Sequence, residues 1–238
     1  MRALVTMSVA AVALGGAATA EARQPAEKVH AVEVAGETLK LPLLDRYCSL
    51  DPANAPERQI LEAQVKQASA GKRKVLLMQA DCAELAAQRA KKGVRFGLIE
   101  FLVPVRPDGQ PAKLMQGVSA ESLLSEQASK APRFNAAVID GDLAGSTKGG
   151  TPKPSSAGLI AQTENANYIA QFDQVAVGSG DKASIVTAAT IGGMTVVDGV
   201  PVFATISRFN PGPGGFQRLL DEDKALVAAL QAANTDGN

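Results

Sequence analysis

Few residues of this sequence have the type and spacing that chemistry requires. His30 is the only histidine, so a Ser-His-Asp mechanism would have to use it as the base. It stands in a short apolar run near the start of the chain, and no G-x-S-x-G nucleophile turn occurs anywhere. A surface or strand-edge position suits it better than a catalytic one, and a single histidine excludes a histidine-based zinc site. Cys48 and Cys82 are the only cysteines. In an oxidising compartment they read as a disulfide, and in a reducing one as two thiols. A two-thiolate metal site would have to complete its ligand set with carboxylates. There is no C-x-x-C, so a redox role is the weaker reading, although Cys82 at a helix start would have a lowered thiol pKa if free.

The remaining candidates are carboxylates and glycine-rich turns. Asp140-Gly141-Asp142 has the beginning of a calcium loop, but the further oxygen ligands and the closing Glu are not in register. Gly145-Ser146-Thr147-Lys148-Gly149-Gly150 does not meet the phosphate-loop pattern, because Lys148 is followed by Gly. Glu100 lies inside the apolar run Leu98 to Val103. Buried there, it would have a raised pKa and could serve as a general acid or base; alternatively it faces solvent or pairs with an Arg. A glycosidase would need a second carboxylate at a set distance, and the absence of Trp leaves few platforms for sugars. The acidic groups Asp140/Asp142 and Asp221/Glu222/Asp223 read as turn and helix-surface charges. The expectation is therefore no catalytic residue, no cofactor and no metal.

The elements that would position these residues follow from periodicity. Val29 to Val34 and Leu39 to Leu43 flank Gly36-Glu37 as a β-hairpin. Asp45 to Asn54 reads as a loop carrying Cys48. Asn54 and Glu57 form a variant capping box for a helix of about 14 residues through Leu61, Val65 and Ala68. Lys74 to Ala80 is a buried-type strand. Asp81 and Glu84 cap a short helix from Cys82 to about Lys91, and Val94 to Val105 is a longer strand. Ser119 opens a third helix, and Asn135 to Asp140 is either a short strand or a helix edge. Gly141 to Ala157 is a loop rich in Gly, Ser, Thr, Pro and Lys. Leu159 to Ala161, Tyr168 to Val177, Ala183 to Ile191, Met194 to Val197 and Val200 to Ser207 are strand candidates. A turn is expected at Gly178 to Asp181, and Asp198-Gly199 is a two-residue hairpin tip. Phe216, Leu219, Leu220, Val227 and Leu230 define one face of a C-terminal helix, with Asp221, Glu222, Asp223 and Lys224 on the other.

The N-terminus reads as a secretory signal: Arg2, an apolar run from Ala3 to Leu14, then the small-x-small exit Ala18-Thr19-Ala20. The run is shorter than the about 20 apolar residues a spanning helix needs. No cysteine stands at the cleavage point for a lipid anchor, and no later segment is long and apolar enough to span. The expected organisation is a signal peptide over 1–20, a flexible mature N-terminus over 21–27, and one α/β domain over 28–238 with a flexible loop at about 141–157. With 24 basic and 24 acidic residues the chain is neutral, which gives no support to nucleic-acid binding.

The segments Leu43-Leu44-Asp45-Arg46-Tyr47-Cys48-Ser49-Leu50-Asp51 and Met78-Gln79-Ala80-Asp81-Cys82-Ala83-Glu84-Leu85 carry a resemblance. So do Ala188-Ala189-Thr190, Asp198-Gly199-Val200-Pro201-Val202 and the terminal Ala232-Ala233-Asn234. Together they are similar to uncharacterised periplasmic proteins of α-proteobacteria. The order of hairpin, helix, strand, late β-meander and C-terminal helix resembles the PsbP-like α/β/α sandwich; the long inserts around 106–157 depart from a compact version of it. The resemblance implies an α+β fold with a mostly antiparallel central sheet flanked by helices. It also implies an accessory or binding role, with a protein or small-molecule partner, rather than a catalytic one.

If the signal reading is right, protein recovered from the periplasm starts at Glu21, or at Arg23 if the second small-x-small frame, Ala20-Glu21-Ala22, is used. Intact mass decides this, and an exported chain that retains Met1 would refute it.

Overall fold

The computed structural model describes residues 29–90, 96–134, 156–177, 184–212 and 214–235. Nine strands and four helices occur among them. A hairpin of β1 (Val29–Val34) and β2 (Glu37–Pro42) stands apart from a seven-stranded sheet. That sheet contains β3 (Tyr47–Ser49), β4 (Arg73–Asp81), β5 (Leu98–Pro104), β6 (Ser156–Gln162), β7 (Asn167–Val177), β8 (Ser184–Val197) and β9 (Val200–Phe209). Its order is β3-β4-β5-β9-β8-β7-β6, and every pair is antiparallel. Two meanders, β3 to β5 and β6 to β9, join where β5 pairs with β9. The helices are α1 (Ala55–Ala70), α2 (Cys82–Arg89), α3 (Ala120–Lys130) and α4 (Gly215–Thr235). This is the expected α+β class, with a central antiparallel sheet flanked by helices.

Register separates the two sheet faces. The row Phe101–Ala204–Gly193–Tyr168 and the row Ile99–Ile206–Ile191–Ala170 lie on one face. All but Gly193 are buried in one apolar cluster with Phe216, Leu219, Leu220, Leu226, Val227 and Leu230 of α4 and Leu39 and Leu41 of β2. Burying side chains of this size contributes about 1.5–3 kcal/mol each. Asn234, near the end of α4, fixes the hairpin to this face. Its amide accepts from the Lys40 N–H and donates to the Lys40 carbonyl, both at 2.9 Å, as a strand neighbour would. The opposite face carries α1 and α2 over β4, where Leu50, Met78, Ala80, Leu85, Phe96 and Leu98 make a second cluster. It also carries α3, whose Leu124 carbonyl accepts from the buried Asn167 side chain.

The helix starts follow their caps. Asn54 Oδ1 accepts from Glu57 N, Asp81 from Ala83 N and Glu84 N, and Ser119 Oγ from Ser122 N. Glu57, however, does not reach back to the cap. It is buried, accepts from Asp51 N at 2.8 Å, and forms a two-pronged ion pair with Arg89 at 2.7 and 2.8 Å. Cys48 and Cys82 are bonded, with a Cα separation of 5.0 Å. The bond ties β3 to the start of α2 across 34 residues, a closure that stabilises by about 3–4 kcal/mol on the chain-entropy view.

Several expectations shift. Residues 47–49 form an edge strand on β4 rather than loop, too short for periodicity to reveal. The first turn is Ala35-Gly36, both at positive φ, so Glu37 is already in strand. The Val94–Val105 strand begins at Leu98, with 91–95 outside the described residues. Ser156 and Ala157 belong to β6, not to the loop. Asn135 to Asp140, the rest of that loop and the Gly178–Asp181 turn also lie outside the described residues. The Asp198-Gly199 tip is as expected: φ is 48° and 75°, and Val197 pairs with Val200.

The largest change is at Gly192-Gly193, read as a gap between strands. The structure runs one 14-residue strand through both. A Cβ on Gly193 would lie 2.4 Å from Val227 Cγ2 and 3.1 Å from Tyr168 Cε1, so the glycine is where α4 comes closest to the sheet. Gly193→Ala is expected to cost about 1–3 kcal/mol through forced displacement of α4. Chemical denaturation measures it, and an unchanged midpoint would show that the helix is not held at this distance.

Candidate functional site

On the sheet face opposite α4, the helices cover only the flanks. Between them lies an open cleft of about 500 Å³. Its floor comes from alternate residues of four adjacent strands. One register row is Leu98–Ser207–Thr190–Gln171, and the next is Glu100–Thr205–Gly192–Ile169. Strand alternation puts these side chains on one face, while their neighbours Ile99, Ile206 and Ile191 fill the core beneath. Gln64, Gln67 and Ala68 of α1 form one wall, and Phe96 and Phe209 stand at one end. Phe209 is one of four large apolar side chains left exposed among the described residues.

The polar floor is partly self-satisfied. Thr190 and Ser207 share a hydroxyl hydrogen bond of 2.8 Å, and Thr205 Oγ1 donates to the Glu100 carbonyl at 3.4 Å. Gln171 Nε2 donates to Asp173 Oδ2 at 2.9 Å. The Glu100 carboxyl is half-buried, and burial pushes its pKa up to about 7, with the positive charge of Arg73 opposing this. Of the placements the sequence leaves open (buried with a raised pKa, solvent-facing or Arg-paired), it takes a half-buried one with a raised pKa, opening into the cleft with Arg73 nearby but not ion-paired. A carboxyl poised near neutrality suits proton transfer. A two-carboxylate hydrolase, however, needs its pair within about 5–9.5 Å. The only other carboxylate lining the cleft, Asp173, sits three strands away, about 14 Å across the sheet at ordinary strand spacing.

The second perturbed group is Asp223. It was placed with the surface charges of the C-terminal helix; the structure overturns that. Asp223 is completely buried, faces Gly193, and neither carboxylate oxygen has a hydrogen-bond partner. Burial raises its pKa well above the ordinary range, and the nearby Gly193 backbone offsets this only in part. The signal was legible, since Asp223 falls midway in the stripe Phe216, Leu219, Leu220, Leu226, Val227, Leu230 at helical spacing. It is completely buried, so its consequence is for stability rather than binding.

The other sequence candidates do not converge here. His30 is exposed in β1, opposite Leu41. Cys48 and Cys82 lie at the far strand of the sheet, beside a charged network in which Arg46 pairs with Asp81 at 2.7 Å and Glu222 at 3.2 Å. Arg208 reaches Glu222 at 3.5 Å and also bonds the Tyr47 hydroxyl. Asp140, Asp142 and Gly145–Gly150 are outside the described residues. Among the described residues no three His, Cys, Asp or Glu side chains cluster as metal ligands, and no helix is long and apolar enough to cross a membrane. No protein-family model matches the sequence, and no curated protein does.

The pH dependence of stability tests the two raised carboxyls. A group whose folded pKa is raised adds stability that is full below its unfolded pKa and is lost as pH rises through the folded value. For Glu100 the loss spans the ordinary Glu range up to about 7; for Asp223 it extends higher. Glu57 and Asp81, both lowered by ion pairing, lose their contribution only in acid. Stability is therefore expected to fall from pH 5 to pH 9. Glu100→Gln should recover about 2 kcal/mol of that fall, the linkage value of such a shift reduced for partial exposure. Asp223→Leu should flatten the alkaline part. A fall retained in full by both variants would show that neither carboxyl is perturbed.

Proposed function

We propose that this is an exported, non-enzymatic binding protein of the periplasm, acting through the cleft on its sheet. The observation that carries the reading is the polar floor of that cleft. A sheet face left open by its helices, with neighbouring rows of hydroxyl, amide and carboxyl groups between apolar ends, is what a small-ligand site requires. The signal-like N-terminus supports export, and the Cys48–Cys82 bond is consistent with an oxidising compartment. The resemblance to PsbP-like accessory and binding domains supports the same role. Glu100 gives the carboxylate-hydrolase reading its one favourable feature, but among the described lining residues the second carboxylate, Asp173, sits too far away to act with it. A structural envelope role would call for a broad apolar patch, and the exposed large apolar residues are scattered.

Thermal-shift screening of small molecules tests the proposal. A ligand at 100 times its Kd adds about 2.7 kcal/mol and should raise Tm by about 5–10 °C. Thr190→Trp and Gln171→Trp fill the floor and should abolish the shift. A screen without hits, or hits that survive both substitutions, would overturn the cleft as the site.

A further inference from the structure

Glu100 is the one charged group of the inner floor, and its carboxyl has no hydrogen bond or ion pair within 4 Å among the described residues. Among the described residues Arg73 is the only cation lining the cleft, and its charge acts on Glu100 without an ion pair between them. Its guanidinium carbon stands 5.8 Å from the centre of the Phe203 ring, and its Nη2 lies 3.1 Å from where a Cβ on Gly71 would be, at the end of α1. Asp173, at the far side, adds a second negative charge. The described lining thus holds two carboxylates and one cation. Donors are also partly used up: one hydroxyl of the Thr190–Ser207 pair and that of Thr205 donate within the floor itself. The lining amides of Gln64, Gln67 and Gln171 can still donate and accept, so neutral polar partners are well supplied; what Glu100 lacks is a charged donor in direct contact.

We infer that the cleft's ligand is a small organic cation, an ammonium or amidinium head seated on Glu100 with an apolar body lying along Leu98 towards Phe96 and Phe209. The inference rests on the cleft reading above. An anion would meet two carboxylates and, among the described lining residues, only Arg73. A neutral polyol would satisfy the hydroxyls but leave the desolvated carboxyl with only the charge of the unpaired Arg73 to offset it. A cation gives Glu100 the direct ion pair that Arg73 does not, and the apolar end of the cleft accommodates the rest of the molecule. Binding is coupled to proton release. Among the described residues the charged groups facing Glu100 are Arg73 of β4 and, more distantly, Asp173 of β7, while α1 contributes Gln64, Gln67 and Ala68 and β9 hydroxyls and Phe209. A cation takes up the ionised form, so affinity rises with pH up to about 7 and levels off above it.

Benzylamine and benzamidine, with benzyl alcohol and benzoate as neutral and anionic counterparts, test this by calorimetry on the mature protein. Both cations are expected to bind, about fivefold to tenfold more tightly at pH 8 than at pH 6. Glu100→Gln should reduce cation affinity at least tenfold and remove the pH dependence, and Glu100→Asp should restore part of both; the melting temperature of each variant confirms folding. Equal binding of benzyl alcohol or benzoate, or cation binding that survives Glu100→Gln, would overturn the inference. If neither cation binds while other small molecules do and Thr190→Trp blocks them, the cation class falls and the cleft reading stands. If nothing binds, both fall.

Discussion

The approach of α4 to β8 is the constraint on which the rest of the structure depends. A helix of this length lying on a sheet face normally rests on a layer of side chains. Here Gly193 removes one of them, and Val227 and Asp223 occupy the space that its Cβ would take. The helix is thereby drawn in, and its apolar stripe meets the rows contributed by β5, β9, β8 and β7. Its far end then reaches β2, where Asn234 substitutes for a strand neighbour. The hairpin would otherwise have no sheet to join, because two strands alone are marginal in water. One missing side chain thus determines where the helix lies, and through it where the hairpin docks.

The same closeness explains how an unpaired carboxyl survives in the core. Asp223 comes from the helix face that must touch the sheet; neither of its oxygens has a hydrogen-bond partner there, and the nearby Gly193 backbone offsets its burial only in part. Held as a neutral acid it costs about 1–3 kcal/mol in unmade hydrogen bonds. The apolar side chains on the same stripe contribute several times that, so the packing wins. The contrast with Glu57 is instructive. Glu57 is equally buried, yet it keeps its charge because Arg89 meets it with two hydrogen bonds and Asp51 N–H with a third.

How far the sequence disclosed this arrangement depended on the range of the signal. Caps at Asn54, Asp81 and Ser119, the Asp198-Gly199 tip and the pairing of two lone cysteines are local or arithmetical, and all could be read. The three-residue β3 is defined only by its partner β4, so no periodicity revealed it. Gly192-Gly193 looked like a break because glycine weakens a strand in isolation; its reason for being there lies 34 residues later, at Val227. Asp223 was misplaced for a different cause. Its type argued for the surface and its position for the core, and type was given the greater weight. Glu100 was legible as a carboxylate in an apolar strand, but whether its face was covered depended on where three helices pack.

The two sheet faces differ in how their rows are closed. On the α4 side the central rows are apolar, and one long helix with a hairpin covers them. On the other side the rows through Ser207–Thr190–Gln171 and Glu100–Thr205 are polar, and a helix laid over them would have to supply a partner for each group or leave it unsatisfied. The chain instead places α1 and α2 over the apolar end at β4, and α3 where Asn167 can bond its backbone. The middle stays open because covering it would cost more than leaving it wet. The cleft is therefore a direct consequence of polar side chains at alternate positions of β5, β9, β8 and β7. Replacing them with apolar residues would favour closure of that face and remove the site, with little change to the core on the opposite side.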